Sequence, residues 1–183
     1  SNLILDPDLD SYYTMSLLII RFPELFDVIL RIGEKALEAA QPTPLMTRQQ
    51  RQVDYLIVEG QLDAVVRGIA TDYEEAIAVG GAPLADALTP SRDALMQAIE
   101  SLRHVTRRTA LESSVGALPV TIRDATDGVV GSLFLAWKGA GGALDTLLNR
   151  RIDSLFLRMW WHLGTAGLLL MLILSVVYFV ARM

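Results

Sequence analysis

One uncharged run near the end of the chain constrains the fold most. The residues from Leu163 to Ala181 read LGTAGLLLMLILSVVYFVA. A helix of about 20 apolar residues, rising 1.5 Å per residue, crosses the hydrocarbon core of a bilayer. Trp160 and Trp161 precede the run and Arg182 follows it, as is typical of interfacial aromatic residues and a snorkelling cation. We therefore predict a transmembrane helix over residues 159–183, with the lipid bilayer as partner.

Two other interpretations of this run are weaker. A wholly apolar helix also occurs inside soluble proteins, but it is usually shorter and rarely lies at a chain end. A signal peptide would lie at the N-terminus, have a shorter apolar core and precede a cleavage site. The run is therefore expected to be an anchor.

Composition limits what the rest of the chain can be. With 183 residues and 20.1 kDa, there is room for one soluble domain, residues 1–158, besides the anchor. The net charge of −5 repels phosphate backbones, which argues against nucleic-acid binding. The absence of cysteine excludes disulfides, thiol catalysis and cysteine zinc sites. Because the chain starts at Ser1 rather than Met, we expect a fragment or a processed product.

The pattern of capping residues and prolines predicts an all-α fold, since no segment alternates apolar and polar residues as a strand does. The first helix is expected to kink or break at Pro23 and to end near Ala40. The second is expected to end at Val79, before Gly80 and Gly81. Helix starts are predicted where a capping side chain precedes a first-turn proline, at Asp6–Pro7, Thr43–Pro44 and Thr89–Pro90.

Apolar spacing identifies a core stripe on the second helix, and charged residues such as Asp72 mostly fall on its other faces. Glycine-rich sequence from Glu112 to Gly142 predicts broken helix. From Ala143 to Ala181 no proline or turn cluster interrupts the pattern, so one continuous helix is expected. The predicted architecture is an up-down antiparallel four-helix bundle whose last helix continues into the membrane. The stripe consists of Leu62, Val65, Ile69, Tyr73 and Ile77.

The two ends of the chain carry a family resemblance. Residues 1–15 read SNLILDPDLDSYYTM, residues 21–25 read RFPEL and residues 143–152 read ALDTLLNRRI. These segments resemble the extracytoplasmic sensor regions of bacterial receptors such as methyl-accepting chemotaxis proteins, sensor histidine kinases and membrane diguanylate cyclases. The middle of the chain is similar only in its helical character.

The resemblance implies a periplasmic sensor bundle attached to the bacterial inner membrane, in chemotaxis or two-component signalling. It also implies a homodimer, a first transmembrane helix upstream and a signalling module downstream, commonly begun by a HAMP linker. Charge alone points to the opposite orientation, because Arg150, Arg151 and Arg158 precede the span and only Arg182 follows it. An upstream helix would normally dominate that orientation.

Two pairs of side chains are candidates for ligand binding. Arg103 and Arg107 lie four residues apart on one helical face, where their guanidinium groups are suited to a small anionic ligand. The competing interpretation is a solvated face or salt bridges to an acidic neighbouring helix. Tyr12 and Tyr13 offer hydroxyl groups, although aromatic residues at such spacing usually pack in a core or interface.

Other site chemistries are not supported. Asp6, Asp8 and Asp10 have the spacing of a calcium loop, but its required glycine and bidentate acid are absent. His104 and His162 are the only histidines and lie far apart in sequence, which argues against zinc. No cofactor motif or paired catalytic constellation is present, so we do not expect an enzyme.

Three functions remain open at this level. The sequence favours a signal-sensing domain that relays a ligand's or a periplasmic partner's state through helix displacement. The alternative is a tail-anchored structural or assembly protein whose bundle contacts other proteins. A small-ligand enzyme is a more distant third, which a polar pocket with perturbed carboxylates would indicate.

Overall fold

The computed structural model describes residues 9–112 and 119–182, which are nearly all helical and contain no strand. The predicted all-α class is therefore confirmed. The expected helix start at Asp6–Pro7 lies outside the described residues. The elements are α1 (Leu9–Ser16), a π-helical turn (Leu17–Arg21), α2 (Phe22–Ala40), α3 (Leu45–Leu111) and α4 (Pro119–Ala181).

Pro23 shapes the first helix without breaking it. A proline inside a helix lacks an N–H donor, and its ring clashes with the carbonyl four residues earlier, here that of Ile19. The chain widens just before it: the N–H of Phe22 donates to the carbonyl of Leu17, five residues back. The expected irregularity is therefore present as a π-turn, and the chain does not break there, since α1 and α2 remain joined through it.

The connection between α2 and α3 lies where the sequence predicts it. The helix α2 ends at Ala40, and Gln41 has extended dihedral angles of φ −66° and ψ 140°. Pro44 directly precedes the first residue of α3, because its fixed φ suits a helix start. Arg51 then reaches back to donate to the carbonyl of Glu38 at 3.0 Å.

Gly81 divides α3 into two helices that lie side by side. Its φ of 69° and ψ of −161° are non-helical, and glycine reaches positive φ without steric penalty. The third helix begins immediately after it, with Pro83 in the first turn. The predicted start at Thr89–Pro90 is therefore wrong, since both residues lie inside the helix that Gly81 has already begun.

The glycine-rich stretch of α4 is helical, which corrects the expectation of broken helix over residues 119–142, the described part of that segment from its first helical residue. The helix runs from Pro119 to Ala181 and includes Gly128, Gly131 and the four residues 139–142. Each glycine costs up to about 1 kcal/mol relative to alanine in a helix. Five buried side chains offset that cost by packing. They are Ile122, Val129, Leu133, Ala136 and Ala140. Gly116 lies outside the described residues.

An aromatic cluster joins three helices in the core. The Phe22 ring lies 6.4 Å from that of Tyr73 and 5.7 Å from that of Trp137, measured between centroids. The predicted stripe of α3 is buried at its first four positions, while Ile77 is half-buried. Tyr73 is thus a core residue, in agreement with the packing interpretation.

The chain forms two compact units, residues Ser1–Leu144 and Asp145–Met183. The first contains the helix contacts described above. The second contains the stretch Met159–Ala181, which has 23 residues and is long and apolar enough to span a membrane. The residues of its most apolar window are not buried by the protein itself. An apolar C-terminal helix is therefore present, as the last part of α4.

Substituting Gly81 by alanine tests the turn inside α3. We expect Gly81→Ala to destabilise the chain by about 1–3 kcal/mol, because a Cβ is strained at positive φ. Gly131→Ala is the matched control: this glycine is helical and open space surrounds its Cβ position, so a gain of about 0.5–1 kcal/mol is expected. Urea unfolding of the full chain in detergent measures both, and equal effects would contradict the assignment.

Candidate functional site

A ladder of ion pairs joins the two halves of α3 at the predicted arginine pair. Arg103 pairs with Asp63 through a contact of 2.5 Å between Nη2 and Oδ1. Arg107 Nη1 donates to Glu59 Oε1 at 3.2 Å. Both arginines therefore lie on one face, as their spacing predicts. The acidic neighbouring helix of the competing interpretation is also present.

Two neutral hydrogen bonds extend this ladder toward the end of α3. The hydroxyl groups of Tyr55 and Thr106 lie 3.3 Å apart in a buried contact. Gln52 donates its side-chain amide to the carbonyl of Ala110 at 3.1 Å. The ladder fixes the register of the two halves of α3. Residues 52–63 of the first half lie opposite residues 103–110 of the second.

The charge balance of the ladder limits its anion affinity. The Glu59 side chain is 9% exposed and that of Arg107 is 60% exposed. The buried carboxylate offsets the positive charge, yet the guanidinium of Arg107 keeps donors that reach solvent, since it has five N–H groups in a planar fork. Anion binding by Arg103 and Arg107 stays a prediction.

Tyr12 and Tyr13 lie in a different part of the molecule from the arginine pair. Their rings form an edge-to-face contact with centroids 5.4 Å apart, and Tyr12 is more than half exposed. One turn later, Ser16 contacts α3 at Asp72, about two and a half turns beyond Asp63. The tyrosines and the arginines thus do not form one site.

Asp72 is a buried junction that the sequence pattern did not identify. It is 5% exposed and accepts hydrogen bonds from Ser16 Oγ at 2.7 Å and from Arg21 Nε at 3.0 Å. The Arg21 guanidinium also lies over Gly68, where a Cβ would come within 2.7 Å of its central carbon. Asp72 precedes the buried Tyr73 and follows Ile69 by three positions, which is the one signal that could have placed it at the edge of the core stripe.

The π-turn is what brings Ser16 and Arg21 to the same carboxylate. In a regular α-helix, residues five apart point about 140° away from each other, at about 100° per residue. A π-turn closes through i→i+5 bonds, so residues five apart come nearly into line. Asp72 therefore binds both sides of the turn and holds the register in which the turn is wide.

Two open grooves lie beside α4. One, of about 420 Å³, separates α2 from α4 and is lined in part by Leu30, Gly33 and Ile122. The other, of about 440 Å³, separates the second half of α3 from α4 and is lined in part by Ala98 and Gly128. Within residues 9–112 and 119–182, no cluster of three acidic or histidine side chains is arranged to hold a metal ion.

Comparison with protein-family models, with curated proteins and with solved structures gives no match to this chain.

Removing the Asp72 carboxylate should destabilise the helical unit. We expect Asp72→Ala to cost about 2–4 kcal/mol, because it leaves the Arg21 guanidinium and the Ser16 hydroxyl without their shared acceptor. Asp27→Ala is the control, since Asp27 forms an exposed pair with Arg31 at 3.0 Å and should change stability by less than about 0.5 kcal/mol. Urea midpoints followed by circular dichroism distinguish the two; a cost for Asp72→Ala as small as that of the control would refute the junction.

Two buried tyrosines predict a loss of stability in alkali. Burial raises the pKa of Tyr55 and of Tyr73 to about 12 from 10.0, only partly offset by the nearby hydroxyls of Thr106 and Ser91. The folded chain therefore holds more protons than the unfolded chain between pH 10 and 12. Stability should fall as the pH rises through that interval.

The two tyrosines should respond differently to loss of the hydroxyl. The Tyr73 hydroxyl is buried near Ser91, but the Ser91 hydroxyl donates to the carbonyl of Leu88 at 3.0 Å, and Tyr73 makes no well-formed hydrogen bond with the described residues. We expect Tyr73→Phe to be neutral or stabilising by about 1 kcal/mol, whereas Tyr55→Phe should cost about 1 kcal/mol through the lost contact with Thr106. Both substitutions should reduce the fall in melting temperature between pH 8 and pH 11. Identical melting shifts at pH 8 would contradict the difference between the two sites.

Proposed function

We propose that this chain is the extracytoplasmic sensing region of a bacterial transmembrane receptor, together with a transmembrane helix. Its bundle lies on the periplasmic side of the inner membrane. It works as a homodimer and relays the state of a small anionic ligand or a periplasmic partner to a cytoplasmic output module. The resemblance of the two chain ends to such receptors motivates this proposal, and the following contacts support it.

An up-down antiparallel four-helix bundle accounts for the helix contacts. The first helix runs against the first half of α3, since Ser16 meets Asp72 and Glu38 meets Arg51. The two halves of α3 are antiparallel through the ion-pair ladder. The fourth helix closes the bundle, because Gly139 lies against Ser91 and Gly33 lies against Ile122.

The observation that carries the proposal is the continuity of α4. Its first part packs against α2 and the second half of α3, its last part is the candidate span, and its backbone is assigned as one helix from Pro119 to Ala181. A helix transmits displacement along its axis because each residue is bonded to the next turn. In this proposal, a change in how the first part of α4 packs is passed along the helix to the candidate span.

A ligand drives such a change only by binding one arrangement of the bundle more tightly than another. Helix shifts of about 1–2 Å are an established output of this kind. Arg103 and Arg107 remain the proposed anion-binding groups, and their pairing with Asp63 and Glu59 supplies a contact that an anion would compete with.

A disulfide can stand in for the unidentified ligand. A Cβ at Gly33 would lie 3.4 Å from Cγ2 of Ile122, so the double variant Gly33→Cys and Ile122→Cys is placed to bridge α2 and α4. The chain has no other cysteine. With the chain fused after Met183 to a histidine-kinase module that drives a transcriptional reporter, adding oxidant in cells should change output by at least about twofold.

Inserting two glycines between Arg158 and Met159 should abolish that response without changing the melting temperature of the bundle, because a flexible pair interrupts the helix. Inserting seven helix-forming residues at the same position should preserve it, since two turns restore the helical phase to within about 20°. An undiminished response with the glycine pair would refute the relay, as would an unresponsive parent chain whose disulfide is fully formed.

A tail-anchored assembly protein is the second candidate. It is favoured by exposed apolar side chains on the first part of α3, among them Leu45 at 77% and Met46 at 85% exposure, which suit protein contacts. For such a tether, partner binding should be unaffected by the glycine pair, and the disulfide should not alter output from the fused module.

A further inference from the structure

An apolar strip lies along the seam between the first and fourth helices. We define the apolar seam as Ile19, Phe26, Leu30, Phe134 and Trp137, which are between 39% and 68% exposed. Leu30 lines the groove that separates α2 from α4. Trp137 packs on Phe22, and Phe134 lies on the same helical face three residues earlier. Trp137 and Leu30 thus tie the strip to both helices, and Ile19 and Phe26 lie about one turn before and after Phe22 on the first helix.

We propose that a second copy of this chain covers the apolar seam, an inference that rests on the homodimer of the proposed function and names its contact face. The five side chains leave on the order of 500 Å² of apolar surface exposed, which exceeds what isolated surface residues account for. A stable interface buries about 800 Å² per partner, of which roughly 60% is apolar. The seam matches the apolar core of one such interface.

The composition of the seam and its rim fits a protein partner. Two of its five members are phenylalanine and one is tryptophan, and aromatic residues are enriched in interface cores, where charged residues are depleted. Charged side chains of both signs flank it on the same two helices. They are Asp27, Arg31, Glu34, Arg123, Asp127 and Lys138. Since three of these six are acidic and three basic, the rim has no net positive charge to attract an anionic lipid surface.

The geometry suits self-association. The two helices that form the seam are antiparallel and the seam follows their long direction, so a two-fold axis parallel to the bundle brings the seam of one copy onto that of the other. If the candidate span anchors each copy, both copies are confined to one bilayer. Confinement raises the effective concentration of one seam relative to the other.

Neighbouring residues of α4 supply a matched test. Leu135 is 59% exposed, close to the 68% of Phe134, but lies about 100° around the helix from it. Leu135 precedes Gly139 by one turn, and Gly139 faces Ser91 on the second half of α3. A substitution at position 134 therefore changes the seam, whereas the same substitution at position 135 changes a surface of equal hydrophobicity outside it.

The experiment uses single-cysteine variants of the full chain in membranes, which is clean because the native chain has no cysteine. On mild oxidation, Phe134→Cys and Ile19→Cys should form disulfide-linked dimers roughly tenfold faster than Leu135→Cys. In detergent, Phe134→Asp should lower the dimer fraction measured by light scattering and Leu135→Asp should leave it unchanged. Both positions are exposed, so each variant keeps its fold.

Equal crosslinking at positions 134 and 135, or none at 19 and 134, would overturn the inference. The outcome is independent of signalling. If the Gly33–Ile122 disulfide leaves reporter output unchanged while the seam cysteines still crosslink, the relay is refuted and the dimer face is supported. If reporter output responds to the disulfide but the seam cysteines do not crosslink, only the proposed dimer face is refuted.

Discussion

The wide turn before Pro23 governs how the first helix presents its side chains. Proline cannot donate to the carbonyl four residues back and its ring collides with that group, so the chain accommodates it by one five-residue turn. Everything before that turn is rotated relative to a regular helix. Ser16 thereby reaches Asp72 together with Arg21, and Ile19, within the turn, remains exposed. One missing hydrogen-bond donor thus sets both a buried polar junction and an apolar surface.

In α4, by contrast, tertiary packing overrides the low helix propensity of the glycines. Its glycines favour flexible backbone, but the buried side chains between them recur at helical spacing from Ile122 to Ala140. Glycine then serves the packing of α4, since Gly139 brings the Ser91 hydroxyl to 3.2 Å of its Cβ position, and Gly33 of α2 receives Ile122 at 3.4 Å. A side chain at Gly139 would require Ser91 to shift by a few tenths of an ångström.

The sequence predicts what depends on periodicity and on single strong signals. The all-α class, the core stripe from Leu62 to Tyr73, the end of the first long helix at Ala40 and the apolar C-terminal helix follow from these. It fails where two signals compete. Thr89–Pro90 resembles a helix start, yet Gly81 with Pro83 supplies an earlier one. The buried role of Asp72 could not be predicted from the regular spacing of the core stripe. Its partners Ser16 and Arg21 lie on either side of the π-turn, and hydrophobic periodicity does not show where a helix widens.

The Asp72 junction also ties the register of the first helix to the width of its turn. Ser16 and Arg21 align while the turn is wide, and a regular helix there would separate them by about 140°. Ile19 lies within the turn itself. A change in the width of the turn would therefore rotate Ile19 and the residues before it relative to α3, whose Asp72 contacts both sides of the turn.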